Sequence, residues 1–247
     1  MIKYWKFKQE VFGVDRAYQK IRLSDLGEGD LSMPRKQAFY VLPGRDNAGR
    51  AIIFSRKPEW DYQNRKDVMR WVWYSVERAV TEDESLQHAG FLVMGFNDGP
   101  FTFKQFDRKL EKKLWYMGEC LPIRWTAVHL LFDSKVHEIL VPFLRFMMGE
   151  KLRARFLIYP GYERHNRLDR LHKVGMSRKV LPTCMGGEDD FDLPAWIEQE
   201  KERELRGEDK KTNEQAELEE EEVQEQPVED VEEKKDEMPK EKSAIVQ

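Results

Sequence analysis

Two cysteines in 247 residues, Cys120 and Cys184, are too few for a disulfide framework or a four-cysteine zinc site. Such sparing cysteine use makes a reducing, cytoplasmic setting the expectation. No apolar run approaches the ~20 residues that a membrane-spanning helix requires. The opening Met1-Ile2-Lys3-Tyr4-Trp5-Lys6-Phe7-Lys8 lacks an apolar stretch followed by small residues, so a secretory leader is not expected. Also missing are Gly-x-Gly-x-x-Gly after a strand, the Gly-x-x-x-x-Gly-Lys-Ser/Thr phosphate loop and the Gly-x-Ser-x-Gly elbow. The five histidines enter no His-Glu-x-x-His arrangement, and there is no Cys-x-x-Cys. Of the residues that remain, His129 sits inside an apolar strand and reads as a hydrogen-bonded core histidine. Cys184 precedes Gly186-Gly187 in a turn, and Asp133 or Ser134 reads as a helix cap. No catalytic residue, metal site or cofactor is expected, and no nucleic-acid module is visible.

The net charge of −4 hides a division. Residues 198–247 hold 20 acidic and 9 basic residues, or −11, which leaves +7 on the body. That C-terminal stretch has no aromatic residue and includes Glu219-Glu220-Glu221-Glu222. It cannot bury enough apolar surface to offset the entropy of ordering, so residues 207–247 are expected to be a disordered acidic tail. A helical extension, residues 193–206, is expected to precede it through Trp196 and Ile197. The basic body suits an anionic membrane surface, which the tail would repel.

Between the termini two periodicities alternate. Residues 1–37 carry a weak helical pattern in Val11, Val14, Tyr18 and Ile21, then break at Leu26-Gly27-Glu28-Gly29-Asp30. Ala38–Leu42 and Ala51–Phe54 read as strands of a hairpin. A helix over about 62–80 follows, with Val68, Trp71, Val72, Ser75 and Ala79 on one face. Phe91–Phe96 and Ala127–Phe132 read as buried strands, and Arg155–Tyr159 as a fifth. The intervening helices are marked by Phe103, Phe106, Leu110, Leu114 and Met117, and by Val136, Ile139, Leu140, Phe143, Leu144 and Met147. The second of these is interrupted by Pro142, and a polar helix is expected around 164–174. Strands separated by helices imply an α/β fold with parallel pairing. The apolar excess fits either ordinary core or a hollow core that encloses a lipid.

The segment Leu121–Gly187 resembles the CRAL-TRIO lipid-binding domain, most nearly its tocopherol- and retinal-transfer branch. The resemblance is carried by Pro122-Ile123-Arg124, Val128-His129-Leu130-Leu131, Pro142-Phe143-Leu144, Glu150-Lys151-Leu152-Arg153-Ala154-Arg155 and Leu181-Pro182-Thr183-Cys184-Met185-Gly186-Gly187. With Gly44-Arg45-Asp46, Gly49-Arg50 and Gly90-Phe91 upstream it extends over residues 38–192. It implies a mostly parallel sheet flanked by helices, with an apolar pocket covered by a gate helix. It further implies non-enzymatic binding of a hydrophobic ligand, with transfer or presentation at membranes by a peripheral protein expected to be a monomer. The pocket residues it implies are Phe91, Val93, Leu121, Ile123, Val128 and Leu130, with Val136, Leu140 and Phe143 on the covering helix. Arg124, Lys151 and Arg155 match positions that hold a phosphoinositide headgroup. Three departures stand out. Asp133-Ser134-Lys135 replaces Asn-x-Pro, Thr126 replaces a fourth basic residue, and Ile123 replaces an acidic residue of the phosphatidylinositol-transfer branch. The last argues against phosphatidylinositol as buried cargo. The alternative is an interaction or adaptor module that keeps the fold without cargo.

Overall fold

The computed structural model describes residues 2–98, 102–103, 106–148, 150–161 and 166–207. Within these the helices are α1 (Ile2–Phe12), α2 (Val14–Ala17), α3 (Ser32–Arg35), α4 (Arg65–Glu82), α5 (Ser85–Ala89), α6 (Arg108–Cys120), α7 (Lys135–Met147), α8 (Glu150–Arg153), α9 (Arg167–Lys173) and α10 (Leu193–Arg206). The strands are β1 (Phe39–Arg45), β2 (Ala51–Ser55), β3 (Phe91–Asn97), β4 (Trp125–Phe132) and β5 (Phe156–Tyr159). They form one sheet in the order β1-β2-β3-β4-β5. Only β1–β2 is antiparallel; β2, β3, β4 and β5 run parallel. The hairpin turn is tied by Asp46, whose carboxylate accepts from the backbone N–H of Ala48 and Arg50 and from Arg50 Nε, at 3.0, 2.8 and 2.6 Å.

Parallel neighbours in sequence order have a geometric consequence. Each right-handed crossover returns on the same side, so α4, α6 and α7 all lie on one face of the sheet. In-register Ile53, Val93 and Val128 point to that face. Val72 and Val76 of α4 lie over Ile53, and Val141 of α7 packs in a cluster with Val128, Leu130 and Phe132. The opposite face carries Tyr40, Phe54 and His129, covered by the chain leading through Tyr159 to Phe191.

The segments flanking the α/β core dock on α4. Phe7 stacks on Trp73 at 5.8 Å, and buried Lys8 pairs with Glu77 at 2.7 Å. From α10, Glu200 accepts from Arg78 at 2.9 Å while Trp196 lies under the same guanidinium. The expected boundaries at 37 and 192 therefore fall inside one compact unit, Met1–Arg206. The acidic tail lies outside the described residues from Glu208 onward.

Three local expectations shift. Helix α6 starts at Arg108, because Asp107 caps it through the N–H groups of Lys109 and Leu110, and Phe103 stays outside it and exposed. Helix α7 runs through Pro142 without a break. Ser134 caps α7, whereas Asp133 pairs with buried Arg167 at 2.6 Å. The Gly186-Gly187 turn has a steric reason. Gly186 has φ +87°, and a Cβ on Gly187 would sit 2.0 Å from the Leu181 carbonyl oxygen.

Candidate ligand cavity

Between the helical face of the sheet and α4 and α6 lies a cavity of about 980 Å³, at the upper end of small-molecule sites. Its floor is Phe39, Ile53, Ser55 and Val93, every second residue of their strands. The α6 wall is Glu111, Leu114, Trp115 and Gly118, the i, i+3, i+4, i+7 stripe of one helix face. Leu121, Ile123 and Trp125 continue it onto the start of β4.

The two ends differ. Ser55 is level with Gly95, and Trp125 with Phe91, so these levels are four residues of β3 apart, or about 13 Å. At the Trp125 end Arg124, Arg155 and Glu150 are exposed and form a charged mouth. Arg155 Nη1 donates to the Trp125 carbonyl at 2.9 Å, which fixes it there. At the Ser55 end the wall closes on buried Trp60 and on an ion pair between Lys57 and the buried Glu111. Lys57 Nζ also lies 3.7 Å from the centre of the Trp60 ring. Burial, with the Glu111 and Asp107 carboxylates nearby, pushes the neighbouring Tyr62 phenol well above its ordinary range.

The expected pocket residues separate into two groups. Val93, Leu121, Ile123, Arg124 and Arg155 line the cavity. Phe91 is fully buried in the main core. Val128 and Leu130 face the same side as Val93 but are sealed under α7 by Val141, Met148 and Phe156. On α7, Leu140 is buried and Val136 half-buried, while Phe143 is 59% exposed beside exposed Ile139 and Phe146. For Lys151 only the backbone is described, one residue from mouth-lining Glu150 and Leu152.

Lys57, Glu111, Trp60 and Trp115 were not legible as site residues. The available signal was Glu111, an acid on α6 that the helical period places beside apolar Leu114 and Trp115. His129, expected as a core histidine, is buried with Nδ1 2.9 Å from the Tyr159 hydroxyl. Among the described residues no three His, Cys, Asp or Glu side chains gather as a metal site, and no helix is long and apolar enough to cross a membrane.

Comparison with known proteins agrees with this architecture. Alpha-tocopherol transfer protein-like of Mus musculus is 25% identical over 162 residues, covering 63% of this chain and 45% of that protein. The chain thus spans a little under half the length of that curated relative. The crystal structure of Sfh5 superposes with a TM-score of 0.51 at 12% identity, over 77% of this chain and 66% of that one, a likeness of fold. The CRAL/TRIO domain profile matches residues 35–187. Matched over more than half its length, the chain belongs to the CRAL/TRIO domain family.

Proposed function

We propose that this protein binds a lipid or similar hydrophobic molecule in the cavity and exchanges it with membranes, without covalent chemistry. The observation that carries the reading is a cavity of about 980 Å³ with largely apolar walls and an exposed charged mouth. A space of that size lined by Ile53, Val72, Val76, Val93 and Leu114 is stabilised by an apolar occupant rather than by water. Membership of the CRAL/TRIO family, and the tocopherol-transfer naming of a 25%-identical relative, agree with it. Docking is assigned to two features. Arg124, Lys151 and Arg155 supply positive charge for an anionic surface, a phosphoinositide among the candidates. Exposed Ile139, Phe143 and Phe146 on α7 supply apolar side chains for the bilayer.

The test is mass spectrometry of the purified full chain under native conditions, beside a Val93→Trp variant. Val93 is only half-buried by protein and faces the cavity, so the larger ring should fill the void without displacing packed core. We expect lipid to co-purify with the natural sequence and its occupancy to fall at least about ten-fold in the variant, with the melting transition preserved. A natural-sequence protein that stays empty after incubation with mixed-lipid vesicles would replace this reading with a cargo-free interaction module.

A further inference from the structure

The inner end of the cavity is not apolar, and its chemistry restricts what can occupy it. Ser55 closes the floor, and Lys57, the first residue of the 3₁₀ turn after β2, lines the same cavity. Glu111 faces them from α6, ion-paired with Lys57 and 5% exposed. One turn along α6, Trp115 lines the same cavity and extends its apolar wall.

Three groups with complementary roles therefore face one volume. The Glu111 carboxylate has lone pairs left after Lys57 is served. The Lys57 ammonium donates, and the Ser55 hydroxyl does either. The charges of Lys57 and Glu111 already cancel. A carboxylate or phosphate brought here would meet Glu111 in a low-dielectric site, and an ammonium would meet Lys57. An uncharged hydroxyl or carbonyl meets neither penalty: a hydroxyl donates to Glu111, and either group accepts from the Ser55 hydroxyl.

From this arrangement we infer that the Lys57–Glu111 pair, with Ser55, is a polar anchor that selects a neutral amphiphile. Its hydroxyl or carbonyl enters first, and its apolar body lies toward the Arg124 mouth. The inference rests on the lipid-binding reading above and adds to it the class of cargo and the residues that choose it. Lys57 and Glu111 thereby act as specificity residues, because their mutual neutralisation is what excludes charged head groups.

The experiment compares 1-hexadecanol, hexadecanoate and hexadecylamine, which share one chain and differ only in the polar end. Each is supplied at equal mole fraction in neutral phosphatidylcholine vesicles at mildly alkaline pH to the full chain, and bound ligand is counted after vesicle removal. The expected result for the natural sequence is retention of hexadecanol at least about ten-fold above either charged ligand. Glu111→Gln leaves Lys57 uncompensated and should shift the hexadecanoate-to-hexadecanol ratio upward about ten-fold or more. The swapped variant Lys57→Glu with Glu111→Lys restores neutrality, so it should restore the preference for the alcohol. The natural-sequence comparison and the isosteric Glu111→Gln do not depend on tolerance of the swap. Equal retention of hexadecanol and hexadecanoate, or a ratio unmoved by Glu111→Gln, overturns the anchor and leaves the lipid cavity standing. Retention of none of the three by the natural sequence overturns both.

Discussion

His129 and His137 sit on opposite faces of the sheet, and burial holds both imidazoles near a pKa of about 4. For His129 the Arg50 guanidinium lowers it further, while Asp46, paired with that same Arg50, opposes. The unfolded chain takes up these protons near 6.5, the folded chain only near 4. In the window between, the unfolded state binds more protons, so stability rises with pH and is lost on acidification. Each imidazole should cost about 2 kcal/mol on going from pH 7 to pH 5. Urea unfolding midpoints at the two pH values, for the natural sequence and His129→Gln, measure this. The variant should show a visibly shallower pH slope, and an unchanged slope would sink the assignment to His129.

Helix α7 divides its apolar residues between two tasks. His137, Leu140, Val141 and half-buried Leu144 turn inward, and Val141 and Leu144 help seal Val128, Leu130 and Phe132. Ile139, Phe143 and Phe146 turn outward at 55, 59 and 79% exposed, an apolar strip that none of the described residues covers. A strip that holds the helix to a bilayer contributes to vesicle binding and nothing to the folded core. Replacing all three by Ser should weaken association with neutral and anionic vesicles alike, with the melting temperature unchanged or slightly higher. Reversing Arg124, Lys151 and Arg155 to Glu should instead weaken phosphoinositide vesicles selectively. A control reversing exposed Arg108, Lys109 and Lys112 on α6 distinguishes a headgroup site from diffuse attraction. Equal losses in both triple reversals, read by vesicle co-sedimentation, would remove the headgroup assignment.

At the level of the whole chain the dominant quantity is charge asymmetry. Residues 208–247 carry 16 acidic and 6 basic residues, so the chain without them changes from −4 to +6. Juxtamembrane basic residues are each worth about 1 kcal/mol at an anionic surface, and the effect is screened within a Debye length. Truncation after Gly207 should therefore tighten binding to anionic vesicles at low salt, and the gain should disappear at high salt. The thermal transition should stay nearly constant, since Met1–Arg206 forms a compact unit by itself. Co-sedimentation that is indifferent to truncation at low salt would mean the acidic stretch has no role in membrane attraction.

What was legible in the sequence follows from local chemistry. Near-continuous apolar runs at Phe91–Phe96 and Ala127–Phe132 and the helical stripes between them determine a mostly parallel α/β sheet, because each element must bury its apolar surface. The glycine turn of the Leu181–Gly187 segment was readable for the same reason, whereas Arg124 and Arg155 were named only through the family resemblance. What required the tertiary structure was which apolar residues face a void and which face each other. Val93 and Val128 are adjacent in register and look alike in sequence, yet one lines the cavity and the other is sealed by α7. Phe143 falls within the same helical stripe as Leu140 but rotates outward, because α7 presents Val141 and Leu144 to the sheet instead. The inner anchor joins the end of β2 to α6 across 54 positions of sequence. No periodicity links Lys57 to Glu111; only the right-handed crossovers, which stack α4 and α6 over one sheet face, bring them together.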